Sequence, residues 1–325
     1  MRVLIAHYNP SAGGGAESAV RDQAAALEAL GHEVAIEYVH PQRAYSRFRP
    51  DVVHYHTIHV GMGLDVLEWA QTAGIPHCLS LHDYWPFCDG RMLLAHDDQP
   101  CAAVTGLCDG RCDNEPAPAH VREIVNRSPV VTFNPYSAAI YQRHGVRVDA
   151  IIPHGIDTEL FRPDYSQRDG VQIVTSSAWP TMATKGMHVL KAALKQIGAK
   201  AGLITGRPRE RVADELRKAS IFVFPSCYEE TFGLCLTEAM ASGCACIASD
   251  VCGARSQIDD GITGLLFPTR DAGALARAIQ RLLDNGEYRD LLGHNARAKV
   301  ERENTLEHMA REYEAFYGQL IAARE

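Results

Sequence analysis

The stretch Ile221-Phe-Val-Phe-Pro-Ser226-Cys-Tyr-Glu-Glu230-Thr-Phe-Gly-Leu-Cys-Leu-Thr-Glu238-Ala-Met-Ala-Ser-Gly243 decides the reading of this chain. Residues 221 to 224 form an apolar strand closed by Pro225-Ser226. A short polar loop follows. Phe232 to Ala241 then reads as a helix, and Gly243 suits a left-handed C-terminal cap. Glu230 falls on the loop just before the helix, and Glu238 about two turns into it. N–H groups near residues 232 to 235 make an anion site, because a helix start carries unpaired donors at the positive end of its dipole. Two carboxylates flanking a phosphate cradle suit a ligand with hydroxyls on both sides of a phosphate, as in a nucleotide sugar.

Outward from this stretch, strand and helix alternate. Strands are expected at Val3 to Ala6, Val34 to Tyr38, Val52 to His56, His77 to Leu81, Val130 to Asn134 and Ala150 to Ile152. The second half repeats the pattern with strands at Gln172 to Ser176, Gly202 to Thr205, residues 221–224, residues 244–248 and near Leu265. Helices are expected at Glu17 to Leu30, Leu64 to Ala73, Met187 to Gln196 and Arg209 to Ala219, and almost throughout from Ala272. This is βαβ repetition, an α/β class chain of two doubly wound Rossmann-like domains facing a central cleft.

The chain has 325 residues, 46% hydrophobic and 22% charged, which fits two ordinary globular domains. A formal net charge of −8 gives no general attraction to nucleic acid or anionic lipid. No run of about 18 apolar residues is available to span a bilayer, and the N-terminus is too short for an export signal. A cytoplasmic location and no nucleic-acid partner are the expectations. The basic stretch Arg43 to Arg49, with Tyr45 and Phe48, reads as a solvated loop, with peripheral contact to a membrane or a phosphate-bearing acceptor as the alternative.

At this point the chain resembles the retaining, nucleotide-sugar-dependent glycosyltransferases of the GT-B fold (glycosyl transferases group 1). Pro225, Ser226, Glu230, Phe232, Gly233, Glu238, Ala239, Met240, Ala241 and Gly243 match that family's two-glutamate motif. Further matches run in family order: Gly13-Gly14-Gly15-Ala-Glu17, Gly31 to Val34, Asp51 to His54, His82-Asp83, Gly155 to Asp157, Lys185-Gly186 and Gly261 to Phe267. The resemblance implies an acceptor-side domain over residues 1–153, a nucleotide-sugar domain over 154–310, and a C-terminal helix, 311–325, crossing back to the first. It implies a nucleotide-diphosphate sugar donor, a hydroxyl acceptor, and retention of configuration.

The same resemblance assigns roles. Lys185 neutralises the diphosphate, Glu230 places the donor sugar, and Glu238 holds the ribose hydroxyls. Thr231, Phe232, Gly233 and Leu234 line the phosphate cradle, and His82 lies beside the reacting sugar. Gly13, Gly14 and Gly15 follow the first strand and let backbone approach the ligand closely. The family's arginine about five residues before the lysine is missing, since Ser177-Ala-Trp-Pro-Thr-Met182 holds none; either Lys185 acts alone or Arg207 or Arg209 substitutes. His154 stands where the family more often has asparagine. The chemistry needs no metal cofactor.

Four cysteines, Cys88, Cys101, Cys108 and Cys112, lie in an irregular segment over residues 85–118. Four thiolates satisfy a structural zinc or an iron–sulfur cluster, although their spacing matches no zinc knuckle; free thiols or a disulfide pair are the alternative. Cys78, Cys227, Cys235, Cys244, Cys246 and Cys252 read as small core residues. Two rival readings remain. One is a transferase relic that binds a partner through the metal-clipped loop. The other is a dinucleotide oxidoreductase, which the lack of GxGxxG spacing at Gly13 to Gly15 disfavours.

Overall fold

The computed structural model describes residues 1–8, 14–38, 40–58, 62–88, 91–93, 101, 104, 117–168 and 170–324. The chain divides into two compact units. The first runs from the N-terminus to Gly155 and resumes at Leu306, and the second spans Ile156–Thr305.

The first unit is built on six parallel strands: β1 (Arg2–His7), β2 (Glu33–Glu37), β3 (Val52–His56), β4 (His77–Ser80), β5 (Val130–Thr132) and β6 (Ala150–Ile151). They lie in the order β2-β1-β3-β4-β5-β6. Their helices are α1 (Gly15–Ala29), α2 (Pro41–Phe48), α3 (Asp65–Thr72), α4 (Ala119–Asn126) and α5 (Pro135–Arg143). β1, β3 and β4 carry unbroken apolar or fully buried runs, as parallel strands covered on both faces require. The order reverses between β1 and β3, which is where open α/β sheets bind ligands beyond their strand ends.

The second unit continues with β7 (Ile173–Ser176), β8 (Gly202–Ile204), β9 (Ile221–Phe224), β10 (Ala245–Ser249) and β11 (Leu265–Phe267), in the order β11-β10-β9-β7-β8. Its helices are α6 (Met187–Ile197), α7 (Arg209–Lys218), α8 (Leu234–Ala241), α9 (Cys252–Gln257), α10 (Ala272–Asp284) and α11 (Gly286–Glu303). All pairings are parallel. The sheet repeats the first unit's plan, with its reversal between β7 and β9. Apolar residues of α6 and α10 pack on one face and those of α8 and α11 on the other. Cys227, Cys244, Cys246 and Cys252 are buried here, and Cys78 in the first unit; Cys235 is half-buried.

The last helix, α12 (Leu306–Ala322), belongs to the first unit and packs on α1. Met309, Ala310, Tyr313 and Tyr317 join Val20, Ala24 and Leu27 in one core. Buried apolar contact of this kind stabilises by about 25 cal/mol per Å² removed from water.

Three local readings need correction. Residues 41–48 are a helix and not a loop: Pro41 starts it, Arg49 ends it at φ 49°, and Tyr45 packs edge-on against Trp69. α8 begins at Leu234 and not at Phe232, because Gly233 at φ 94° is its left-handed entry residue. α4, α5 and α9 were not anticipated; they are 8, 9 and 6 residues long, too short for a clear periodic signal.

Candidate active site

In the second unit, the loops leaving β7 and β9 meet at the point where the strand order reverses. The β7 loop ends in Lys185-Gly186, and the β9 loop carries Ser226, Tyr228 and Glu230. Their close approach depends on Gly186. It sits at φ 65°, and a Cβ built there would lie 1.7 Å from the Pro225 carbonyl oxygen. The Cys227 N–H donates to the Thr184 carbonyl at 2.7 Å, fastening one loop to the other.

This clasp sets three polar groups around one carboxylate. Lys185 Nζ donates to Glu230 Oε1 at 2.7 Å, and Ser226 Oγ donates to the same oxygen at 3.1 Å. Tyr228 hydroxyl donates to Oε2 at 2.6 Å. Lys185 Nζ also lies 3.2 Å from the Tyr228 hydroxyl oxygen and 4.8 Å from the centre of its ring. Glu230 is 8% exposed, so its charge needs these partners. Burial works against the Lys185 ammonium, but the charge of Glu230 outweighs it and raises the Lys185 pKa above its ordinary value. Burial, and then the same carboxylate, raise the Tyr228 phenol, which stays protonated.

The Glu230 loop is itself held from behind. Its carbonyl accepts from the Gly253 N–H at 2.8 Å, and the Phe232 carbonyl accepts from Gln257 Nε2 at 2.6 Å. α9 is therefore the backing that fixes Glu230, Thr231 and Phe232. Thr231 and Phe232 are buried, and Gly233 packs so tightly that a Cβ would meet the Phe224 ring at 2.9 Å. α8 then starts at Leu234 with no side-chain cap. Its end carries a fixed positive dipole beside the ion pair. Cys235 Sγ donates to the Ser176 carbonyl at the end of β7, and burial pushes this thiol up to about 12.

Glu238 is carried on α8 and faces Arg209 Nε at 3.6 Å, with both side chains largely enclosed. The Arg209 guanidinium also lies over the Phe161 ring, 5.2 Å from its centre. The structure thus brings Arg209 to the second carboxylate of the motif. Sequence reasoning missed Tyr228 and Ser226. The signal was their place two and four residues before Glu230, on the loop that had to bend around it.

In the first unit, His82 follows β4 with four other histidines near it. His56 Nδ1 is 2.8 Å from His82 Nε2. The His154 ring stacks on His82 with centres 5.5 Å apart, and Phe133 lies 4.8 Å from it. His54 and His56 have centres 4.0 Å apart. His7 is the register partner of His56 across β1 and β3. These rings line the carboxyl ends of β1, β3 and β4, at the reversal point. Burial holds His54 and His154 neutral, both down to about 3. Asp83 accepts from the Trp85 N–H at 3.1 Å, and burial pushes its carboxyl up to about 6 against that bond and the charge of Arg91. Gly14 precedes α1 in extended conformation and Gly15 is its first residue. Gly13 lies outside the described residues.

Cys88 is half-buried and Cys101 buried, while Cys108 and Cys112 lie outside the described residues. Among the described residues no three His, Cys, Asp or Glu side chains converge on a metal position. No described helix is long and apolar enough to cross a membrane.

Residues 185–299 match the family model of glycosyl transferases group 1. Phosphatidyl-myo-inositol mannosyltransferase of Mycolicibacterium smegmatis is 31% identical over 190 residues, 49% of this chain and 48% of that protein. D-inositol 3-phosphate glycosyltransferase of Kribbella flavida is 37% identical over 223 residues, 63% of this chain and 51% of that protein. The matches span about half the length of these curated relatives or less. Among solved structures, sucrose-phosphate synthase from Thermosynechococcus elongatus superposes with a TM-score of 0.79 at 20% identity, over 99% of each chain. Anabaena HepE in complex with UDP and glucose gives 0.72 at 15% identity, over 98% of this chain and 100% of that one. The fold is that of the GT-B glycosyltransferases, and the match to the glycosyl transferases group 1 model covers residues 185–299, about a third of the chain.

Proposed function

We propose that the protein is a retaining glycosyltransferase that moves a sugar from a nucleotide-diphosphate sugar to an acceptor hydroxyl in glycan, glycolipid or other glycoconjugate synthesis. The observation that carries this reading is the Lys185–Glu230 pair at the strand-order reversal, 2.7 Å apart and beside the start of α8. A cation and a helix N-terminus together suit the diphosphate, whose charge grows as the glycosidic bond breaks. Glu230 is read as the acceptor for donor-sugar hydroxyls. Glu238 is read as the acceptor for the ribose hydroxyls, with Arg209 orienting it. The second unit is thus the donor side.

The chemistry asks for positioning and charge stabilisation. The bond from the anomeric carbon to the diphosphate oxygen breaks, the diphosphate leaves with the electron pair, and the acceptor oxygen bonds the same face of the sugar as its proton passes to the departing diphosphate. His82 of the first unit is read as a hydrogen-bond donor to the donor sugar. Neighbours solved with UDP or ADP support a nucleotide-sugar donor, and relatives named as a mannosyltransferase and a glycosyltransferase support sugar transfer. A structural zinc or iron–sulfur cluster on Cys88, Cys101, Cys108 and Cys112 is a separate proposal, which elemental analysis of the purified chain decides.

The test is a panel of UDP-, GDP- and ADP-sugars assayed for nucleoside diphosphate release, with and without candidate acceptors. Release by the parent and its loss in Glu230→Gln support the reading. Equal release by parent and variant would remove Glu230 from the chemistry.

A further inference from the structure

We propose that His56 is a positioning residue for His82: its Nδ1–H donates to His82 Nε2 and so confines the neutral His82 proton to Nδ1. The consequence for turnover rests on the transferase reading above; the tautomer does not.

The direction of the bond follows from what surrounds His56. It is fully buried at the end of β3, and burial, reinforced by His54, His82 and neighbouring histidines, holds it neutral. A neutral imidazole carries one proton, on one of two nitrogens. His56 Nε2 is buried and has no hydrogen-bond partner among the described residues. An orphaned buried N–H is a costly state that folded proteins avoid, more so than an under-used acceptor. The proton therefore sits on Nδ1, where His82 Nε2 waits at 2.8 Å. His82 Nε2 is then the acceptor, and its own proton must be on Nδ1.

The neighbouring ring shows the same logic in reverse. Gln23 Nε2 donates to His54 Nδ1 at 2.9 Å, which makes that nitrogen an acceptor. The His54 proton is then on Nε2 and donates to Ser80 Oγ at 2.8 Å. Tyr317 of α12 is 2.7 Å from both Gln23 Nε2 and His54 Nδ1. Two adjacent histidines of one strand thus hold opposite tautomers, one set from the helix side and one facing His82. The second nitrogen of a functional histidine commonly sets its tautomer in this way.

The prediction is sharp because a histidine left to water favours the Nε2–H form. Nitrogen-15 NMR of the full chain with labelled histidine reads both ring nitrogens, and His82→Gln assigns the signals. The expected parent spectrum has His82 protonated on Nδ1. His56→Asn keeps an amide donor where the imidazole Nδ1–H was, so it should keep that tautomer. His56→Leu removes the donor and should move His82 toward Nε2–H. If the transferase assay is active, kcat should fall about ten- to a hundredfold in His56→Leu with donor KM little changed, and recover in His56→Asn. A parent His82 protonated on Nε2, or a tautomer indifferent to His56→Leu, overturns the proposal. Absence of nucleotide release from any sugar would instead sink the transferase reading, and the spectrum would still judge this one.

Discussion

Lys185 Nζ and Glu230 Oε1 lie 2.7 Å apart in a site whose carboxylate is 8% exposed. Each group is therefore the other's charge partner before any ligand arrives. Removing one leaves the other enclosed and unpaired, which costs more than the pair itself contributes. Lys185→Ala should lower nucleotide affinity by roughly 1.5–3 kcal/mol, the range for a hydrogen bond to a charged group. Lys185→Arg should not restore it fully, because a planar fork cannot replace a compact ammonium among Tyr228, Ser226 and Glu230. Calorimetric titration with UDP, GDP and ADP measures this; unchanged affinity in Lys185→Ala would show that another cation holds the phosphates.

Tyr228→Phe tests whether the phenol orients Glu230. The hydroxyl donates to Oε2 at 2.6 Å while the ring packs by Lys185. Phenylalanine keeps the ring and removes one donor to a charge. Turnover should drop by the equivalent of about 1.5–3 kcal/mol in the barrier, with the fold intact by thermal melt. A variant as active as the parent would leave Tyr228 as packing only.

Arg209 and Glu238 form the second test. With their charged atoms 3.6 Å apart, Glu238→Ala should weaken nucleotide binding and Arg209→Met should do so less, through a loosened Glu238. A double-mutant cycle on nucleotide affinity should return a coupling above about 0.5 kcal/mol. Additive losses would separate the two residues.

Acid should unfold the first unit early. Burial holds His54 and His154 down to about 3, and lowers His56 as well. The same side chains titrate near 6.5 when unfolded. Between about 6.5 and 3 the unfolded chain binds protons that the folded chain refuses. The stability from neutral burial is thus complete above pH 6.5 and lost as pH falls through this window. Each histidine adds a slope of about 1.4 kcal/mol per pH unit. Asp83 acts in the opposite sense. Its carboxyl, raised to about 6 from 3.8, takes up a proton on the folded side first and offsets one such slope in that range. Denaturant titrations between pH 7 and 5 should show a falling midpoint. A flat midpoint would mean that these rings are already hydrated or charged.

Most of the fold was legible because parallel strands buried on both faces write themselves as apolar runs. Val3 to Ala6 and Ile221 to Phe224 are such runs, and the glycines that end helices mark the spaces between them. Lys185, Glu230 and Glu238 were singled out with the help of the family resemblance, and the structure brings the first two together. What escaped was set by contacts between distant segments. Nothing near residue 186 reveals that its Cβ would strike Pro225. Nothing in Val52-Val-His-Tyr-His56 says which histidine meets Tyr317 of α12 and which meets His82. Short helices such as α9 lacked a pattern, although α9 holds the Glu230 loop from behind. The approach of Arg209 to Glu238 likewise needed the path of α7 past Phe161.

The most direct test is release of nucleoside diphosphate from a sugar nucleotide, followed in parent, Lys185→Ala and Glu230→Gln proteins of equal thermal stability. Release by the parent from at least one of the UDP-, GDP- or ADP-sugars is expected, with sugar appearing on the acceptor in unchanged anomeric configuration. Both variants should lose at least about 99% of that rate, in keeping with the loss of one key electrostatic group. A parent that binds nucleotide but releases nothing from any donor and acceptor offered, or variants that turn over as fast as the parent, would contradict a catalytic role for the Lys185–Glu230 pair.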